Sequence, residues 1–393
     1  MWKDQRERVH PRFAGLWRHT DFLKLWTGQT ISEFGSLIGG TALQFTAILV
    51  LKVTPFEVAL LSAFGLVPAL LAGPVAGVWV DRLSRRPLLI AADVGRAVLL
   101  ATIPVAWLLH ALRIEHLYVV AFAVGILEIL FEVAYRSYLP SLVRREDLME
   151  GNSKLSASNA VAEVGGFGIA GWLVQLLTAP LAILVDAVSF VVSALSVWLI
   201  RARETRPEPS GESASMRREI AEGAREVLHH PVLRPLAGCT LILELFGGMY
   251  GAVVVLYMVR GLGFEPGILG MIWGVGGASS LLGALLATRL ARRWGIGPAM
   301  IGCLVLAGFG SCLIPLAEGA TLLSAALLIA QQLTGDGAYT AYDINQLSLR
   351  QLVAPERLLG RVNASMRFVG LGATLLGTVA GGWLGGAIGL RAT

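Results

Sequence analysis

Runs of about 20 mostly apolar residues recur along nearly the whole chain between short polar breaks, and each is long enough to cross roughly 30 Å of hydrocarbon. Reading from break to break predicts helices near 22–51, 57–80, 88–110, 115–140, 156–178 and 181–200, then near 235–259, 267–290, 297–317, 320–349 and 362–388. Between the sixth and seventh runs lies the polar stretch Arg201 to His230, which holds Pro207, Pro209 and Ser210 and then an amphipathic segment around Met216 to Leu228. That is the pattern of a linker followed by a surface helix. The fold class expected is an all-α polytopic membrane protein. Its parts are an N-terminal six-helix bundle over 1–201, a cytoplasmic linker over 202–231 and a C-terminal bundle over 232–393.

The two sets of runs are related. Asp81-Arg-Leu-Ser-Arg-Arg86 after the second run matches Thr288-Arg-Leu-Ala-Arg-Arg293 after the eighth, 207 residues on. Ala170-Gly-Trp-Leu173 matches Gly381-Gly-Trp-Leu384 at an offset of 211, and Glu146-Asp-Leu-Met149 precedes the first copy as Glu356-Arg-Leu-Leu359 precedes the second. An even number of helices separates the copies, so they insert in the same orientation, as parallel transporter repeats do. Shifted by about 210 residues, the sixth run would occupy roughly 391 to 410, beyond Thr393. A twelve-helix design is therefore expected, of which eleven helices fall within this sequence and the twelfth does not.

Composition agrees with a membrane as the main solvent. The 393 residues are 55% hydrophobic and 15% charged, with a mean hydropathy of +0.67, against about a quarter charged in soluble domains. Residues Met1 to Thr20 are polar and basic with no apolar signal segment, so the N-terminus is expected in the cytoplasm. On that assumption the cytoplasmic loops hold Arg82, Arg85, Arg86, Arg144, Arg145, Lys154, Arg289, Arg292, Arg293, Arg357 and Arg361, while the opposite side holds only Lys52, Arg113, Arg260 and Arg391. The positive-inside rule thus accounts for the net charge of +5, and no nucleic-acid partner is expected. Cys239, Cys303 and Cys312 lie in apolar stretches without metal-ligand spacing, which leaves disulfide and zinc readings without support.

The segment Gly77-Val-Trp-Val-Asp81-Arg82-Leu-Ser-Arg85-Arg86 resembles the helix 2 to 3 loop signature of the major facilitator superfamily. Asp93-Val-Gly-Arg96-Ala, Phe131-Glu132-Val-Ala-Tyr-Arg136-Ser-Tyr-Leu-Pro140 and Gly360-Arg361-Val-Asn363 resemble the branch that contains macrolide-efflux proteins and the enterobactin exporter. The resemblance covers nearly the whole chain. It implies two six-helix bundles that rock around a substrate site, with proton entry driving export. It also implies a gate in which Gly77, Asp81, Arg82, Arg85 and Arg86 latch onto the start of the eleventh helix at Arg361. The C-terminal copy has Thr288 in place of the acid, and Phe167 stands where exporters of the superfamily often carry proline, so the exporter signature is incomplete in the fifth helix.

Glu33, Glu128, Glu132, Glu163, Asp186, Glu244, Asp336 and Asp343 fall inside apolar runs, where a charge costs about 2.5 to 3.5 kcal/mol at the bilayer centre. Glu132 and Arg136 share a helix face four residues apart and read as a structural ion pair. A carboxyl group in a dry site can exchange a proton near neutral pH, which makes Glu33, Glu128, Glu132, Glu244 and Asp336 the candidates for proton coupling. Trp26, Phe34, Phe45, Trp273, Tyr339 and Tyr342 could line a cavity for an amphipathic ligand, with lipid-facing or interfacial placement the alternative. Gly165, Gly166, Gly168 and Gly171, with Gly372, Gly377, Gly381 and Gly382, have the spacing of close helix approach. No catalytic triad or cofactor motif is present, so an enzyme is not expected.

The expectation is a bacterial inner-membrane secondary transporter that exports an antibiotic, drug-like natural product or siderophore, works as a monomer, and draws on a proton gradient with no cofactor. Its alternatives are a proton symporter importing a nutrient and a transport-dead sensor or scaffold of the same fold.

Overall fold

A computed structural model describes residues 15–80, 83–202 and 216–393, with backbone alone for 72–80 and 216–220. Within them the chain forms helices and no strands. In the first half these are α1 (Thr20–Phe45), α2 (Pro55–Val80), α3 (Arg85–Leu108), α4 (Ile114–Leu142), α5 (Leu148–Leu177) and α6 (Ala179–Trp198). The amphipathic linker segment is α7 (Met216–His229). The second half holds α8 (Leu233–Leu256), α9 (Pro266–Trp294), α10 (Ile296–Ser311), α11 (Leu322–Val353) and α12 (Leu359–Ala387).

Local chemistry sets the boundaries. Thr54 and Glu57 close a reciprocal capping box at the start of α2, with Glu57 Oε2 accepting from Thr54 N at 2.6 Å and Thr54 Oγ1 accepting from Glu57 N at 3.3 Å. Pro55 and Pro266 open α2 and α9 at the one position where a missing N–H costs nothing. Gly295 separates α9 from α10 in the left-handed region, at φ 86°. The fifth helix begins at Leu148, well before the apolar run near 156, with Glu150 in its first turn, where an acid complements the helix dipole.

Nine helical segments among the described residues are long and apolar enough to cross a membrane. The 32-residue α11 is long enough but too polar to score as a span on its own. Its Gln331, Gln332, Asn345 and Gln346 are buried within the protein. Gln346 donates to Thr240 on α8 at 2.6 Å and Asn345 to the Ala287 carbonyl on α9 at 3.3 Å. The polar face of α11 is therefore turned into the protein. Apolar side chains such as Val98, Leu176, Leu195, Val305 and Leu376 are instead exposed, as suits positions that face hydrocarbon.

The internal repeat is carried into local geometry. A π turn follows α1 at Thr46–Val50 and another follows α8 at Tyr257–Gly261, 211 residues on. The short 3-10 turns Arg145–Asp147 before α5 and Glu356–Leu358 before α12 keep the same offset.

In the first half α1 packs on α5 and α6, α3 on α4 and α6, and α2 on α4. In the second α8 packs on α12, α9 on α11, and α10 on both α9 and α11. The halves meet along two seams, α5 against α9 and α2 against α12. Both seams are tight because glycine removes the side chain: Gly171 lies against Gly270 and the Pro266 carbonyl, and Gly382 against Ala59 and the backbone of Phe56.

Candidate functional site

The two ends of the molecule differ. At the end where α1 turns into α2, a single buried core runs through both halves, joining Phe45, Ile48 and Val58 to Tyr257, Met258 and Leu269. At the opposite end, where the linker attaches, each half has its own core, one around Phe22, Leu89 and Tyr138 and the other around Leu236, Tyr342 and Val362. The halves are thus closed over one another at the first end, while toward the linker end their buried cores are separate.

Polar contacts between the halves reinforce the closed end. Arg260, on the π turn after α8, donates from Nη1 to the Val53 carbonyl at 2.7 Å and from Nη2 to the Ile48 carbonyl at 2.8 Å. Gln175 at the end of α5 donates to Glu265 Oε2 at 2.7 Å and accepts from Gly267 N at 2.9 Å. Gly267 N is one of the first-turn donors of α9 that have no partner within their own helix. Phe45 is fully buried beside Trp273, whose ring also meets Phe167 of α5, so these aromatics fill the space under the closed end.

Away from that end, the helices of both halves carry acidic side chains. Glu132 on α4 accepts from Arg136 and lies 3.9 Å from Arg367 on α12. Glu163 on α5 and Asp336 on α11 interact electrostatically across the divide. Glu128 feels Arg96, Glu132 and Glu33, and Glu33 also accepts from Gln29 at 3.0 Å. Glu244 on α8 accepts from Thr374 on α12 at 2.8 Å. Among the described residues none of Glu33, Glu128, Glu163, Glu244, Asp336 and Asp343 is at ion-pair distance from a cation. Tyrosines stand within electrostatic reach of them: Tyr135 of Glu33, Tyr250 of Asp336, and Tyr339 of Glu244 and Asp343.

The remaining candidates occupy more ordinary positions. Trp26 gives its ring N–H to Ser158 on α5 at 2.8 Å and meets Trp17 edge-on. Phe34 packs over Gly165. Tyr342 is buried, with its hydroxyl 3.3 Å from Cys239 Sγ, and its ring lies 6.1 Å from that of the half-exposed Tyr339. Of the expected gate, Gly77 lies in α2 where only backbone is described, and Asp81 and Arg82 lie outside the described residues. Arg85 is the first residue of α3, and Arg86 donates to the Trp198 carbonyl at 2.5 Å. Arg361 pairs with Glu222 of the linker helix, whose Gly223 lies against the Arg361 backbone.

Two constellations were given no functional role from the sequence, although Asp93 and Arg96 stand in one of its family-like motifs, Asp186 among its acids in apolar runs and Arg260 on its side poor in basic residues. Asp93 and Arg96 on α3 form an ion pair buried from solvent, and the Arg96 guanidinium is held 4.4 Å above Phe131 and 4.0 Å above Phe190. Asp186 is buried close by on α6, beside Gly35 and Gly39 of α1. An acid and an arginine three residues apart inside an apolar run were the available signal. For Arg260 it was a lone arginine on the side poor in basic residues.

The family model described as Major Facilitator Superfamily matches residues 25–378. The MFS-type transporter YfiS of Bacillus subtilis (strain 168) is 23% identical over 371 residues, covering 92% of this chain and 87% of its own. The multidrug efflux pump Tap of Mycolicibacterium fortuitum is 28% identical over 347 residues, covering 86% and 82%. The crystal structure of a mutant of the nucleoside transporter NupG superimposes with a TM-score of 0.76 at 12% identity, over 95% of this chain and 94% of that one.

Proposed function

Because this chain belongs to the Major Facilitator Superfamily, we propose that it is a multi-pass exporter that exchanges protons for an amphipathic organic cation. The observation that carries the reading is the set of carboxylates without an ion-pair partner among the described residues, Glu33, Glu128, Glu163, Glu244, Asp336 and Asp343, interleaved with Tyr135, Tyr250 and Tyr339. A carboxylate on a membrane-spanning helix calls for a proton or a cation, and a tyrosine ring beside it adds an attractive face for an ammonium or guanidinium group. Proton and substrate then compete for the same charges, which is the requirement for exchange. The resemblance to a multidrug efflux pump supports export.

In this reading the linker end faces the cytoplasm, as the basic loops expect, and the conformation described is open inward. Substrate enters between the halves, the linker end closes, and the contacts of Arg260 and Gln175 break to open the far side. Protons arriving at the freed carboxylates return the carrier.

The test uses everted membrane vesicles from a pump-deleted host, with a fluorescent quaternary-ammonium dye as probe. An imposed inside-acid gradient should drive dye accumulation that requires this protein. Accumulation of a neutral or anionic analogue to the same extent would remove the cationic substrate class, and uptake confined to right-side-out cells would replace export by import.

A further inference from the structure

A cleft of about 630 Å³ lies apart from the carboxylates. It runs along the flank of the α2–α12 seam, between Phe56, Phe64 and Val67 on one side and Leu376, Ala380 and Trp383 on the other. Every residue lining it is apolar. Leu376 and Trp383 are strongly exposed, as only a lipid-facing surface in a membrane-spanning region would tolerate. Its floor is the close approach of Gly382 to Ala59 and Phe56, so the cleft exists because the helix backbones touch at the seam while the bulky side chains splay away from it.

We propose that this cleft is a binding site for one acyl chain of a bilayer phospholipid, from the leaflet at the closed end of the molecule. The dimensions carry the assignment. From Phe56 to Val67 the cleft extends eleven residues along α2, about 16 Å at 1.5 Å per residue. One leaflet contributes half of the roughly 30 Å hydrocarbon core, or about 15 Å. The cleft is open along its outer side, so an occupant stays in contact with the bilayer, and its wholly apolar lining suits a hydrocarbon chain and offers nothing to a polar group.

Direction follows as well. Phe56 lies in the first turn of α2 and Trp383 in the last turns of α12, so both mark the same end of the cleft, at the edge of the hydrocarbon. Val67 and Leu376 mark the deep end. The glycerol end of the lipid lies near Trp383, an interfacial residue type, and the methyl end lies near Val67. An acyl chain seated there extends the closed seam outward with hydrocarbon. It is displaced when α2 and α12 separate.

The experiment uses the full chain in nanodiscs of phosphatidylethanolamine and phosphatidylglycerol, doped with phospholipids carrying a diazirine near the glycerol or at the chain end. After irradiation, labelled residues are mapped by mass spectrometry. The probe near the glycerol should label Phe56 and Trp383, and the chain-end probe Val67 and Leu376. Ala380→Trp, which fills the cleft, should abolish both while labelling of the lipid-facing Ile301 and Phe309 on α10 is kept. Labelling without this depth order in the unmodified protein overturns the proposal even if the variant does not fold. So does cleft labelling that survives Ala380→Trp. Loss of label on adding tetraphenylphosphonium would assign the cleft to apolar substrate in place of lipid. None of these readouts depends on the direction or substrate of transport.

Discussion

Arg260 of the second half reaches the carbonyl oxygen of Ile48 in the first, at 2.8 Å from Nη2. The two residues sit on repeat-related π turns, Tyr257–Gly261 and Thr46–Val50, and the position equivalent to Arg260 in the first copy is Leu49. The repeat therefore builds the same turn twice but arms only one copy with a donor. Leu49 could not return the contact, so the lock at the closed end is one-sided.

Replacing Arg260 should release that end. Hydrogen bonds to a charged donor are worth about 1.5–3 kcal/mol when buried, and the partial exposure of Arg260 reduces the pair to about 1–2 kcal/mol. Arg260→Ala is expected to raise the open-to-closed ratio at this end by roughly 5- to 30-fold. Spin labels at the exposed Leu109 and Leu316 would report the distance between the halves, and an unchanged distribution would show that the contact is not a lock.

Glu128→Gln and Asp336→Asn should uncouple transport. Each substitution keeps shape and removes the exchangeable charge, so gradient-driven dye accumulation should fall by roughly 5- to 150-fold, the loss of a coupling free energy of about 1–3 kcal/mol. Exchange of labelled for unlabelled dye without a gradient should persist. If both activities vanish together, the residue binds substrate and does not carry the proton alone.

The Asp93–Arg96 pair makes a prediction about stability. Arg96→Met leaves Asp93 buried with no counter-charge, which costs about 3–5 kcal/mol. The double variant Asp93→Asn with Arg96→Met should recover most of it. Thermal unfolding in one detergent checks this, and a double variant no better than the single would mean that the stacking of Arg96 on Phe131 and Phe190 matters more than the charge.

Gly223 allows the linker helix to lie directly on α12. A side chain there would meet the Arg361 carbonyl and Ser365. Gly223→Leu should cost about 1–3 kcal/mol by overpacking and expose the buried Val227. Hydrogen exchange should then quicken throughout α7 but not in α3; equal exchange in both proteins would show that α7 docks without this contact.

Most helices could be read in advance because a membrane leaves the backbone no partner but itself, so a run of apolar residues of the right length has one stable form. Where polarity was buried inside the protein, the pattern was a weaker guide. Helix α11 owes its low apolarity to Gln331, Gln332, Asn345 and Gln346, and the contacts of the last two with α9 and α8 cannot be seen locally. The carboxylates could be named from the sequence, since an acid in an apolar run is conspicuous. Their division into ion-paired and unpaired groups could not, because Glu132 meets Arg367 from the other half while Glu244 meets the Thr374 hydroxyl of a different helix.

By itself the sequence determined that the chain crosses a membrane many times, that its halves are copies, and which side chains are too polar to face lipid. These follow from local hydrophobicity and period, which every segment carries within itself. The tertiary structure decided which end is closed, that Arg260 and Glu265 take part in spanning it, that Asp93 and Arg96 pair beside Asp186, and that an apolar cleft flanks the α2–α12 seam. Each depends on how helices distant in sequence are set against one another, and no single segment holds that information.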